Sequence, residues 1–331
     1  LSRYNVEREI RDGVAVIVLK DLETNSQAEV VPDIGNNLIR FESNGRQLLE
    51  APASLSDMRN ENFGATMHGM PMLFPPNRVK GGKFSFNDRL YSLPLNEPPD
   101  HHLHGEICFR KWEIIDFGAS EDSGAYVTSC FSYESWPEIM TYFPHPLVFT
   151  ITHRLQEGRL DLDGTITNEG AEEAPFAFGL HPYFPIPASG GDAVVLQIPA
   201  AAEWPVSDLS FVLDKPAVTD FSLILNKGAP IGDFPALGCS LLSMREVDST
   251  CRILIRDGGY SIVFRFDRLF PYLLLFRPDW SSSFSLEPYT SVTDAFNLPY
   301  EKELTGARGI AGGETVAFKT SIWIEPREQD E

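Results

Sequence analysis

The stretch Tyr4–Lys20, YNVEREIRDGVAVIVLK, alternates apolar and polar residues on both sides of an Asp-Gly pair. Tyr4, Val6 and Ile10 fall in one run, and Val14, Val16 and Val18 in the next, joined by Asp12-Gly13. A period of two sends successive side chains to opposite faces of a strand, and Asp-Gly supplies the left-handed residues of a tight turn, so the stretch predicts a β-hairpin. Runs of the same kind follow at Glu29–Pro32, Asn37–Glu42, Lys83–Phe86 and Arg89–Leu93, each closed by Gly, Asn, Asp or Pro. They continue at Trp112–Phe117, Tyr126–Tyr133, Leu147–Leu155, Arg159–Thr167, Ala193–Ile198, Arg252–Arg256, Ser261–Phe266 and Thr315–Ile324, while helical periodicity is nearly absent. Many short strands separated by turn residues predict an all-β chain built as a large antiparallel β-sandwich. A propeller is the rival all-β architecture at this length, but no fixed-period repeat supports it.

The 25 Gly and 25 Pro are scattered along the 331 residues and leave no obvious linker, so residues 1–331 are expected to form a single domain. Long irregular stretches at Asn44–Pro76 and Ser207–Pro235 are expected to border a site. With 43% hydrophobic and 22% charged residues the composition is that of a globular protein. A formal charge of -20 repels phosphate backbones and anionic lipid, which argues against nucleic acid and membrane as partners. No apolar run reaches the ~20 residues of a membrane span. Leu1–Lys20 lacks the layout of a secretory signal, although the chain starts at Leu and not Met, and a cytoplasmic location is the expectation. Cys108, Cys130, Cys239 and Cys251 form no CxxC pair, which suggests buried free thiols and no zinc site.

Three stretches carry residues suited to chemistry. In Phe284–Leu298, FSLEPYTSVTDAFNL, Ser285, Glu287 and Tyr289 share one face of a strand, so Glu287 sits between a hydroxyl and a phenol. It is either a rim carboxylate or a general base held by a strand end. In Pro175–Pro185, PFAFGLHPYFP, His181 precedes a Pro that forces extended or turn geometry, and its apolar collar can shift its pKa. In NRVKGGKF, Asn77-Arg78 lies between a Pro pair and a Gly-Gly turn, where Arg78 is rigidly mounted and either binds a ligand's oxygens or is a surface residue. The run NEPPDHHLHGEICFRKW holds three histidines within four residues, and on an extended strand His102 and His104 would face the same way. No second ligand cluster completes a metal site, so one functional imidazole with the others in solvated loop is expected, with no metal and no cofactor.

Taken in order, NRVKGGKFSFNDRLYSL, then LHG and a Trp, TYFPHPLVFTITHRL, LDLDGTITNEG, GLHPYF and LEPYTSVTDAFN resemble the aldose 1-epimerase (galactose mutarotase) family over most of the chain. The resemblance implies the family's antiparallel supersandwich, in agreement with the strand pattern, and a small sugar as substrate. It implies Glu287 as general base and His181 as general acid, with Arg78 and His104 binding the sugar and Asn77 and Tyr183 in support. Ring opening needs one group to take the C1 hydroxyl proton and another to protonate the ring oxygen, roles open to a carboxylate near ~4.3 and an imidazole near ~6.5. The family's substrate-binding Asp is replaced around Leu237-Gly238-Cys239, which leaves sugar preference open. Two other readings compete: a hexose-6-phosphate 1-epimerase, with Arg110, Arg59 and Lys83 as candidate phosphate ligands, and a carbohydrate-binding module without turnover.

Overall fold

The structure, a computed structural model, describes residues 2–59, 63–97, 99–245 and 249–326. The opening hairpin forms as the pattern predicts: strand Tyr4–Arg11 pairs antiparallel with Val14–Asp21, with Arg11 opposite Val14. Asp12 and Gly13 both have positive φ (51° and 73°), the twist that matches a two-residue hairpin turn. Among the described residues the strands form a five-stranded, a nine-stranded and a seven-stranded sheet, with three two-stranded ribbons.

The nine-stranded sheet is organised on the hairpin Leu147–Gln156 and Arg159–Asn168, flanked by Thr315–Pro326. Both hairpin strands alternate buried and half-buried positions along their whole length, the pattern of a sheet with one face in the core. The N-terminal five-stranded sheet packs on one part of that sheet, against Gly124–Ser132 and Leu147–Gln156. The seven-stranded sheet covers another part, with Phe178 against Phe318 at 4.9 Å and Phe184 against Phe264 at 5.8 Å between ring centroids. The result is the all-β antiparallel sandwich expected from the sequence.

The seven-stranded sheet is where the sequence pattern fails. Strands Ala200–Trp204, Cys239–Met244 and Tyr272–Phe276 lie outside the predicted runs, although Tyr272–Phe276 pairs directly with Ser283–Tyr289. Its YLLLF sequence is apolar throughout because both faces are buried for most of its length, so no alternation marks it as a strand. Short helices also form where little periodicity is legible, including Pro137–Tyr142 and Asp220–Leu225, the latter held by a Thr219–Ser222 capping box. Among the described residues no helix is long and apolar enough to cross a membrane.

Phe74 joins the site region to the core, since its ring meets Tyr133, Phe143, Phe149 and Phe176 at 5.3–6.1 Å. Truncation there removes four aromatic contacts and leaves a cavity among rigid neighbours. Phe74→Ala is expected to lower the unfolding free energy by ~3–5 kcal/mol. Urea denaturation checks this, and a loss under ~1 kcal/mol would mean that the cluster repacks around the void.

Candidate active site

Strand Ser283–Tyr289 is buried along its whole length and paired on both edges. On one edge Leu274 faces Glu287. On the other, Gly179 faces Tyr289 and Tyr183 faces Ser285, so the same register sets His181 across from Glu287. Between those two pairings His181-Pro182 interrupts the ladder: Pro182 has no N–H to give, and the His181 N–H turns away to the Pro71 carbonyl. The break lets the imidazole lie over the strand, with Nε2 3.1 Å from Glu287 Oε1. Ser285 Oγ donates to Glu287 Oε1 at 2.7 Å, and the Tyr289 hydroxyl donates to Oε2. The hydroxyl and phenol on the carboxylate's own face are therefore its partners, and Glu287, only 1% exposed, is no rim residue.

Burial governs the charge of this pair. It pushes the Glu287 carboxyl up to about 8, against the Tyr289 and Ser285 hydrogen bonds and the Arg78 charge, which favour the ionised form. It pushes the His181 imidazole down to about 3. An ion pair at this contact would offset part of the cost, but both shifts point toward an uncharged acid beside an uncharged imidazole. Desolvation opposes charge on both groups, so the pair's proton rests on the Glu287 carboxyl.

A second element faces this pair. Strand Arg78–Lys80 forms a ribbon with His101–Leu103, pairing Arg78 with Leu103, and just past the paired end the His104 N–H donates to the Asn77 carbonyl at 2.9 Å. Asn77 and His104 both have left-handed backbones (φ 57° and 66°), and the turn after His104 is closed by Gly105, where a Cβ would lie 1.8 Å from the Phe74 carbonyl oxygen. Strained non-glycine residues of this kind cost of order 1 kcal/mol each and cluster at functional sites. The kink turns His104 toward His181, with ring centroids 5.5 Å apart and planes at 80°. It also separates His104 from His102, so the two do not face the same way: His102 is buried, with Nδ1 2.6 Å from the Pro94 carbonyl, and is not in solvated loop. Among the described residues no three His, Cys, Asp or Glu side chains are grouped to hold a metal ion.

Glu287, His181, His104, Asn77, Arg78 and Tyr183 all line one cleft of about 740 Å³. Its walls come from both long irregular stretches, through Thr66 and Met67 and through Asp208, Leu209, Ser210 and Pro235. Tyr183 stacks on His181 at 4.5 Å and donates to the Thr66 carbonyl at 2.7 Å. The Asn77 side chain faces the Tyr289 hydroxyl, and its Oδ1 accepts from the Arg78 N–H at 2.9 Å. The Arg78 fork is already engaged: Nε and Nη2 both donate to Glu97 at 2.7 Å, and Nη1 donates to the Leu209 carbonyl at 3.1 Å.

Glu97 and Asp208 are the site carboxylates that sequence reasoning missed. Glu97 stands in the same run as His104, but nothing local pairs it with Arg78. Asp208 lies in a turn that rests on the segment Leu237-Gly238-Cys239, since Ser210 Oγ donates to Cys239 Sγ at 3.2 Å. Cys108 and Cys251 are buried as expected, whereas Cys130 and Cys239 are partly exposed; all four are free. The three candidate phosphate ligands lie elsewhere. Arg110 pairs with Glu106 and Glu138 and lies over Trp136, Arg59 reaches the carbonyls of Asp12 and Gly13, and Lys83 projects from the exposed side of its ribbon. None of them lines the cleft.

Tyr289 is the group whose removal tests this electrostatic arrangement. Tyr289→Phe deletes the donor to Oε2, so the ionised carboxyl loses support and the Glu287 pKa is expected to rise above about 8. Infrared difference titration of the carboxyl band reads it directly. An unchanged or lower value would show that the phenol does not stabilise the ionised form.

Comparison with known proteins agrees with this architecture. The family profile described as aldose 1-epimerase matches residues 19–323. The protein YphB of Escherichia coli K12 is 27% identical over 267 residues, covering 77% of this chain and 83% of YphB. A galactose mutarotase-like protein from Clostridium acetobutylicum superposes with a TM-score of 0.89 at 22% identity, covering 98% of this chain and 99% of the other. A galactose 1-epimerase from Lactobacillus acidophilus superposes at 0.79 with 15% identity, over 99% and 100% of the two chains. With the profile spanning nearly all of the sequence and the fold matching end to end, the chain belongs to the aldose 1-epimerase family.

Proposed function

We propose that this protein is an aldose 1-epimerase that interconverts the α and β anomers of a free hexose by general acid/base ring opening. The observation that supports it most is the direct contact of Glu287 and His181 in the cleft, two groups able to give and take a proton, buried side by side. In the forward step one of them takes the proton of the C1 hydroxyl while the other protonates the ring oxygen. The C1–O5 bond breaks, its electron pair goes to the ring oxygen, and C1 becomes the aldehyde carbon. After rotation about C1–C2 the groups exchange roles, and the ring closes on the other face of C1. Following the family resemblance, Glu287 is the base of the first step and His181 the acid, so the pair's proton passes from Glu287 to His181 across their 3.1 Å contact before the ring opens.

His104, with its Nδ1 buried and unpartnered, and Arg78, with two N–H groups beyond those given to Glu97 and Leu209, are the donors for sugar oxygens. Asn77 and Tyr183 hold these groups in place. A free sugar fits better than a sugar phosphate. Arg78 is the only Lys or Arg among the described cleft-lining residues, its charge is met by Glu97, and Asp208 adds a carboxylate to the wall. A phosphate group would enter a cleft without an uncompensated cation.

Polarimetry of freshly dissolved α-D-glucose and α-D-galactose, and of their 6-phosphates, tests the proposal. Free sugars are expected to relax faster than in buffer, and the phosphates more slowly than the free sugars. Relaxation of every sugar at the buffer rate would leave only a binding protein. Glu287→Gln and His181→Asn should each lower kcat by at least ~10²-fold with sugar binding retained. The working pair carries one proton, so kcat/KM should hold between the two shifted values. Below about 3 both groups are protonated and no base remains. Above about 8 both are deprotonated and no acid remains. An alkaline limb near the ordinary imidazole value of ~6.5 would show that burial does not set the pair's proton count.

A further inference from the structure

The catalytic pair lies on the floor of the cleft, and the walls above it hold more room and a different chemistry than one hexose needs. Six CH–OH units at about one water's ~30 Å³ apiece place a hexopyranose on the order of 200 Å³. The cleft measures about 740 Å³. Only O1 and the ring oxygen react, so the anomeric end alone has to reach Glu287 and His181, and the far end of the sugar points away from the floor.

A series of aromatic rings leads outward from the pair. His181 stacks on Tyr183 at 4.5 Å, and Tyr183 meets the edge of Trp280 at 6.5 Å. Trp280 is braced by Phe276 at 5.7 Å and by a hydrogen bond from its Nε1 to the Met67 carbonyl at 3.3 Å, yet it stays 40% exposed. Leu209 and Leu237, also on the cleft wall, are 42% and 54% exposed. Asp208 and Ser210 add a carboxylate and a hydroxyl to the same wall. A held aromatic face, apolar neighbours and a few polar acceptors are what a pyranose ring asks of a protein: C–H faces stack on the ring while hydroxyl edges reach the acceptors.

We propose that the outer part of the cleft, built on Trp280 with Asp208 and Ser210, is a subsite for a second pyranose ring, and that the preferred substrate is the reducing end of a disaccharide or longer oligosaccharide. This deepens the 1-epimerase proposal and rests on it. A 4-linked sugar keeps its free anomeric centre on the floor and carries its second ring toward Trp280.

The experiment is NMR exchange spectroscopy at anomeric equilibrium, which yields kcat/KM for glucose and for maltose and cellobiose, the α- and β-linked probes. For the better disaccharide, kcat/KM is expected to exceed that for glucose by at least ~10-fold, the scale of one well-made pocket contact. Trp280→Ala should lower the disaccharide-to-glucose ratio by at least ~10-fold, and Trp280→Phe, which keeps an aromatic face, should retain most of it. A wild-type ratio at or below one, or a ratio unchanged in Trp280→Ala, overturns the subsite. Turnover of glucose with no disaccharide preference removes the subsite and leaves the epimerase proposal standing. Turnover of none of the sugars removes both. If Trp280→Ala does not fold, the wild-type ratio and the Trp280→Phe ratio decide the question.

Discussion

One carboxyl group placed in the middle of a sheet, with an imidazole directly across the ladder, constrains the rest of the site. A carboxylate buried this deeply is costly unless its oxygens are met, and here each oxygen is: Ser285 and His181 at Oε1, Tyr289 at Oε2. The arrangement depends on register. A slip of one residue in strand Ser283–Tyr289 would turn Glu287, Ser285 and Tyr289 to the opposite face together. Pairing on both edges prevents the slip, and Gly179 lets the Tyr289 ring lie close over the neighbouring backbone, where a Cβ would come within 2.5 Å of it.

The ribbon carrying Asn77, Arg78 and His104 completes the cleft by a different device. Asn77 and His104, facing each other at the ribbon's end in left-handed conformation, turn their side chains out of the strand direction and toward the carboxyl. Glu97 then holds the Arg78 guanidinium bidentately, so its side-chain entropy is lost on folding and not on ligand binding. The same clamp cancels most of the cleft's positive charge. Electrostatics thus bears on which ligands are admitted, and a neutral polyol suits the site better than an anion.

Desolvation, more than any single partner, determines how the site holds its proton. Glu287 and His181 shift in opposite directions because burial opposes charge on each, which leaves one proton between two groups in contact. The 3.1 Å contact between the two groups is the path along which that proton would pass, and the proposed ring opening and closing would use it in both directions.

The sequence alone determined the all-β class, because sheets with one face in water write their burial into a period of two, as in Leu147–Gln156 and Tyr4–Arg11. It also placed Ser285 and Tyr289 on either side of Glu287, since neighbours at i±2 on a strand share a face whatever the fold. Only the tertiary structure decided the rest. Strand Tyr272–Phe276, beside Glu287, is buried on both faces for most of its length and carries no alternation, so the sheet that builds the site was the least legible. The pairing of His181 with Glu287, the Glu97 clamp on Arg78 and the approach of Asp208 to the cleft join residues far apart in the chain, and local pattern holds no record of such contacts. The proton's position was hidden for the same reason: a pKa is set by what surrounds a group in space, and composition near Glu287 and His181 says only what adjoins them along the chain.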